Sequence, residues 1–186
     1  MSFKITLAQD GAAAPKKTIN FEIQLKDMYE FFADSAYGTS RPDPVNLKYT
    51  GPYPTDLFCV DSNFEIFKLE ENTNYEFTIS MDAQHEGYTN LQIEEFDMAF
   101  LAKAFPGFNW NGLFRLNQDH CAPVIEIIPS VLSSSFYIQT NDEITDEYRK
   151  NLQYDIIFSF EVNGEKKWGV IDPLVEHTNP IDPPKS

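Results

Sequence analysis

The chain has 186 residues, enough for one domain, and 16 Phe, 9 Tyr and 2 Trp supply bulky material for a self-sufficient core. Its net charge of −15, from 29 acidic residues against 14 Lys and Arg, argues against nucleic acid and anionic membranes as partners, since both bind through clustered cations. The acids are dispersed along the chain, which reads as a solvated surface and not as an acidic tail.

Phe3, Ile5 and Leu7 alternate with polar residues and predict a first strand. After an Ala/Pro/Lys loop, Ile19, Phe21, Ile23 and Leu25 alternate with Asn20, Glu22, Gln24 and Lys26, a half-buried strand. Asp27 is placed to cap a short helical turn over Met28 to Ala33. From Tyr37 to Asp56 prolines and glycines break every period, predicting a long loop (37–56) that covers a sheet edge or carries function. Leu57 to Val60, Phe64 to Leu69 and Tyr75 to Met81 read as further strands. Leu91 to Phe105 fits a helix through Phe96, Ala99, Phe100 and Lys103, and fits a strand almost equally well. Val124 to Ile128 and Phe136 to Ile138 are strands, and Asn141 to Lys150 is an acidic turn or one short helix.

The chain then carries its strongest local signal. Apolar alternation from Tyr154 to Val162 meets Asn163-Gly164 and resumes to Ile171, a β-hairpin. A three-residue loop, Val162 to Gly164, pairs Phe158 with Trp168 and gathers Ile156, Phe158, Trp168 and Val170 on one apolar face. A two-residue loop instead puts Phe158 opposite Gly169; the three-residue register is expected because it unites the bulky residues. The Pro-rich segment 179–186 reads as an extended tail.

These elements predict an all-β chain: an antiparallel β-sandwich, jelly-roll or Ig-like, of about eight to ten strands with at most two short helices. A single domain is expected over 1–178. No stretch approaches the roughly 20 apolar residues of a membrane span. The first residues lack the basic and apolar regions of a signal peptide, so cytoplasmic residence is expected.

Chemistry is sparsely signalled. His120 and Cys121 are neighbours and on a strand point to opposite faces, badly placed for a nucleophile and its base. Three His and two Cys lack zinc spacing. The Asn141 to Glu147 segment lacks the central Gly of a calcium loop, so neither metal nor cofactor is expected. With 29 acids, no carboxylate pair can be nominated from sequence. Aromatic loops remain as candidates: Phe108, Asn109, Trp110 and Asn111 combine flat rings with amides, the contact set of a sugar- or protein-binding loop, and Tyr49 and Tyr53 pose the same choice within 37–56. The alternative is that these rings plug one end of the sandwich.

The segment Gly164-Glu165-Lys166-Lys167-Trp168-Gly169-Val170-Ile171-Asp172-Pro173-Leu174-Val175 resembles the end of the PixA/AidA family of bacterial inclusion-body proteins, with its glycine turn, aromatic strand and Asp-Pro before an apolar pair. The likeness spans about a dozen residues and departs at Ile171, where that family usually has Trp. It implies a cytoplasmic β-sandwich that accumulates or self-associates without catalytic residues. The expected function is therefore non-enzymatic self-association or binding. The alternatives are a carbohydrate-binding module using Trp110, Asn109 and Asn111, and a hydrolase whose acids or Cys121 meet only in the fold. The partner is accordingly a second copy or a glycan or protein ligand.

Overall fold

A computed structural model describes residues 2–7, 17–32, 37–43, 58–60, 69–81, 87–102, 108–129, 135–150 and 152–171. In chain order these form β1 (Ser2–Leu7), β2 (Lys17–Ile23), α1 (Leu25–Phe32), β3 (Phe58–Val60), β4 (Asn74–Met81), β5 (Gln92–Ala102), β6 (Val124–Pro129), β7 (Ser135–Gln139), α2 (Asp146–Lys150), β8 (Leu152–Val162) and β9 (Glu165–Ile171). One sheet runs β1-β6-β5-β8-β9 and the other β3-β2-β4-β7. The expected all-β sandwich is the fold. Pairing is mostly antiparallel, with two parallel contacts, β1 with β6 and β2 with β4.

Alternation explains the core. On β2, Ile19, Phe21 and Ile23 point inward between exposed polar residues, and on β4 Tyr75, Phe77 and Ile79 point inward between half-buried ones. Rings from the two sheets meet in the interior: Phe21 lies 5.8 Å from Phe96, and Phe136 lies 5.3 Å from Phe96. Each such pair adds about 0.5–1.5 kcal/mol beyond its area burial.

The ambiguous segment is a strand. Phe96, Met98, Phe100 and Ala102 of β5 face the core with a period of two, and β5 is hydrogen-bonded on both sides, to β6 and β8. Those two ladders outweigh the helical spacing of Phe96, Ala99 and Phe100. Helix α1 begins earlier than its predicted cap, burying Leu25 and Met28 and leaving Asp27 in its first turn. Of the strand expected at Phe64 to Leu69, residues 64–68 lie outside the described residues, as does the 179–186 tail.

The closing hairpin takes the register that was not expected. Val162 pairs with Glu165 across a two-residue loop, so Phe158 faces Gly169 and Ser159 faces Trp168. Asn163 (φ 51°) and Gly164 (φ 82°) are both left-handed, the geometry of a type I′ turn that matches strand twist. Asn163 is also tied to Thr89: its N–H donates to the Thr89 carbonyl at 2.8 Å, and its Oδ1 accepts from the Thr89 N–H at 3.1 Å. The expected three-residue register does not form because the bulky residues serve two clusters and not one: Trp168 and Val170 face outward onto a second apolar cluster.

The register has a steric consequence at Gly169. The Phe158 ring lies across it, so that an added Cβ would meet ring carbons at 2.6 and 2.9 Å. Phe158 is fully buried and has nowhere to move. Gly169→Ala is therefore expected to cost about 1–3 kcal/mol by overpacking, read as a lowered midpoint in urea.

Candidate functional site

The aromatic loop is structural. Trp110 is fully buried and opens a single 3-10 turn, Trp110–Gly112. Its indole N–H donates to the Ala122 carbonyl at 2.9 Å, and its ring stands 4.6 Å from that of Phe108, itself 2% exposed. Phe108 and Trp110 therefore plug the end of the core, and the expectation of a ring platform for a ligand does not hold for them. Asn109 and Asn111 are half-buried. Both direct their amide N–H groups at Asp119 Oδ1, at 3.0 and 2.9 Å. Those bonds hold the Asp119 carboxyl below its usual range. Tyr49 and Tyr53 lie outside the described residues. Cys121 is an exposed free thiol on an isolated bridge with Asn109.

A different group of polar residues converges on the outer face of the five-stranded sheet. Residues 37–43 reach it from the β9 edge. Gly38 forms an antiparallel bridge with Trp168, donating to its carbonyl at 3.2 Å and accepting from its N–H at 2.8 Å. Immediately before it, the Tyr37 ring packs 5.1 Å from Phe160 and 5.6 Å from Tyr29, and its hydroxyl donates to the Met28 carbonyl at 3.0 Å. Three residues beyond, the Arg41 guanidinium spans two strands: Nε donates to Asp97 Oδ2 on β5 and Nη1 to Glu126 Oε2 on β6, each at 2.7 Å.

Sheet register explains the meeting. Ala99 on β5 lies between Glu126 on β6 and Asp155 on β8, and Asp97, two residues earlier, is on the same face. Ala99 is small, so the long side chains around it can lean together over it. Asp97, Glu126 and Asp155 are 2%, 1% and 6% exposed. Lys4 of β1, opposite Glu126, places its ammonium 3.6 Å from Oε2 at the rim. Among the described residues, Arg41 Nη2, Glu126 Oε1 and Ser159 Oγ are buried without a hydrogen-bond partner.

Burial pushes the Asp97 carboxyl above its usual range, and the Arg41 contacts only partly offset that. A carboxylate pair bridged by one guanidinium can clamp a segment or receive a cation. Around it lies an apolar patch: Ala99, Val124 and Ile157 are buried, and Leu101, Trp168 and Val170 are partly exposed. Lys166 stacks over Trp168 at 5.1 Å and pairs with Glu94 and Glu95. Among the described residues, no group of three His, Cys, Asp or Glu is arranged to hold a metal ion.

Arg41, Asp97 and Glu126 lie in no motif or recognisable spacing of the sequence. The available signal was a lone acid inside each of two apolar stretches, Phe96-Asp97-Met98 and Ile125-Glu126-Ile127, which implies a buried partner. No known family matches the chain, and neither a curated protein nor a solved structure matches it. No helix among the described residues is long and apolar enough to cross a membrane.

Proposed function

We propose that this chain acts by self-association and not by catalysis, as a cytoplasmic sandwich of the inclusion-body type. The supporting observation is the apolar patch on the outer face of the five-stranded sheet. A sheet apolar on both faces is normally covered on both; here the four-stranded sheet packs on one face and, among the described residues, the 37–43 segment reaches the other. Trp168, Val170 and Leu101 remain partly exposed there, and patches of this kind are used for protein contacts. The faint likeness of the closing segment to inclusion-body proteins agrees with this reading.

Two results follow. Trp168→Glu puts a charge in the patch while leaving the backbone bridge to Gly38 in place, and is expected to weaken association about tenfold or more in sedimentation velocity. Because each copy carries −15, association should strengthen as salt rises and the Debye length shrinks from about 30 Å at 0.01 M to about 8 Å at 0.15 M. A parent chain that sediments as a monomer at every concentration and salt rejects the proposal.

A second reading, hydrolysis by paired carboxylates, has the convergence of Asp97 and Glu126 in its favour. Arg41 engages one oxygen of each, which suits a fixed clamp better than an acid and base free to exchange protons. Hydrolytic turnover by the parent chain that is lost in Glu126→Gln would establish it. The glycan reading retains only Asn109 and Asn111 of its described contact group, both already bonded to Asp119.

A further inference from the structure

We propose that the segment Tyr37–Asp43 is an exchangeable arm, inserted into its own sheet in the single chain and into the sheet of a second copy on association. This rests on the self-association reading and names its mechanism.

Three of the arm's attachments are of a kind that works equally well within or between chains. Tyr37 is an aromatic plug against Phe160. Gly38 adds a two-hydrogen-bond bridge to the β9 edge, which is strand addition in its shortest form. Arg41 supplies a cation to Asp97 and Glu126, two acids buried deeply enough to require one. The receiving surface is thus shaped and charged for this arm and for no other described segment. A second copy of the chain carries an identical arm. Exchange makes the same contacts, so it carries little enthalpic penalty, and closer approach of the two sheets adds burial of the Trp168 patch.

Chain length permits it. Four residues, 33–36, separate Phe32 from Tyr37, and fourteen, 44–57, separate Asp43 from Phe58. At about 3.3–3.6 Å per residue these connections reach at most roughly 17 Å and 50 Å.

The electrostatics favour the same exchange. Two copies with net charge −15 repel overall, yet each presents one buried-acid socket and one arm-borne guanidinium. Local complementarity of that kind fixes register between partners whose global charge opposes contact.

Isotope-mixed cross-linking tests this. Thr39 and Lys166 are exposed and flank the Gly38–Trp168 bridge. Thr39→Cys and Lys166→Cys, in a Cys59→Ser, Cys121→Ser background, leave every arm attachment named above in place. Nitrogen-15-labelled and unlabelled protein are mixed dilute, concentrated, joined with a short bis-maleimide, separated by size and digested. In the associated fraction, linked 39–166 peptides should pair heavy with light chains as often as like with like, and in the monomer fraction they should pair only like with like. An associated fraction containing only like pairs overturns arm exchange and leaves self-association standing. Absence of an associated fraction, in the parent as well as the variant, removes both. Independently, Arg41→Ala in the parent background should change the concentration midpoint of association at least severalfold. An unchanged midpoint also counts against the arm.

Discussion

Arg41→Ala is expected to lower stability by about 3 kcal/mol at neutral pH, measured by urea unfolding, although Arg41 lies on a proline-flanked segment outside every strand. The loss arises on the sheet. Removing the guanidinium leaves Asp97 and Glu126 buried with their charges unmatched, and Lys4, well exposed, sits beside Glu126 alone. Arg41 is itself about one-fifth exposed, which places the cost at the lower end of the range for a broken buried pair. Arg41→Lys keeps the charge without the two-armed fork and should recover only part of the loss. Combining Arg41→Met with Asp97→Asn and Glu126→Gln removes donor and acceptors together and should recover more than the single changes suggest, the non-additivity expected of one network.

The pH dependence has a definite sign. Asp97 holds its proton more tightly folded than unfolded, because burial outweighs the opposing pull of Arg41, with Glu95 and Glu126 adding like charge. In the window between the ordinary value, 3.8, and the raised folded value, the native state binds more protons, so this group's contribution to stability falls as pH rises. Without Arg41 both of its opposing influences vanish, and the window extends upward. The deficit of Arg41→Ala relative to the parent should therefore be greatest near neutrality and narrow as pH falls through the carboxylate range. A deficit independent of pH would mean that Arg41 contributes packing alone.

The same residues mark the limit of what the sequence makes legible. Strand β2 could be read directly, because Ile19, Phe21 and Ile23 alternate against solvent on one face only. The Asn163-Gly164 turn was equally plain. Register was not, since parity sorts side chains only when one face is buried. The five-stranded sheet has apolar residues on both faces, and β8 is buried almost throughout. Trp168 fits either face by hydrophobicity, and the turn geometry, not the side chain, assigned it outward. The ion cluster was less legible still: Arg41 lies 56 residues from Asp97 and 85 from Glu126, and their approach depends on a strand order, β6-β5-β8, that no local pattern encodes.

Trp110→Ala should be the most damaging single truncation outside that network, costing about 3–5 kcal/mol and, for a chain of this size, lowering the melting temperature by about 6–20 °C. Two effects combine. The indole fills the end of the core between Phe108 and Phe114, stacked nearly parallel to the latter at 6.3 Å, and its removal leaves a cavity that these two buried rings cannot collapse into. The Ala122 carbonyl also loses its donor. Trp110→Phe separates the effects: it retains most of the volume and loses the hydrogen bond, so it should cost about 1–2 kcal/mol. The neighbourhood offers little room to relax. Gly112 lies directly beneath the Tyr148 ring, where an added Cβ would stand 2.1 Å from Cζ, and Tyr148 in turn packs edge-on to Phe108 at 4.6 Å. Truncation at Trp110 should therefore loosen Tyr148 and α2 as well, seen as faster amide exchange over Asp146–Lys150 than in the parent. If Trp110→Ala unfolds at the parent's temperature, the ring is not a core plug, and the binding role first suggested by its exposed-looking loop regains its footing.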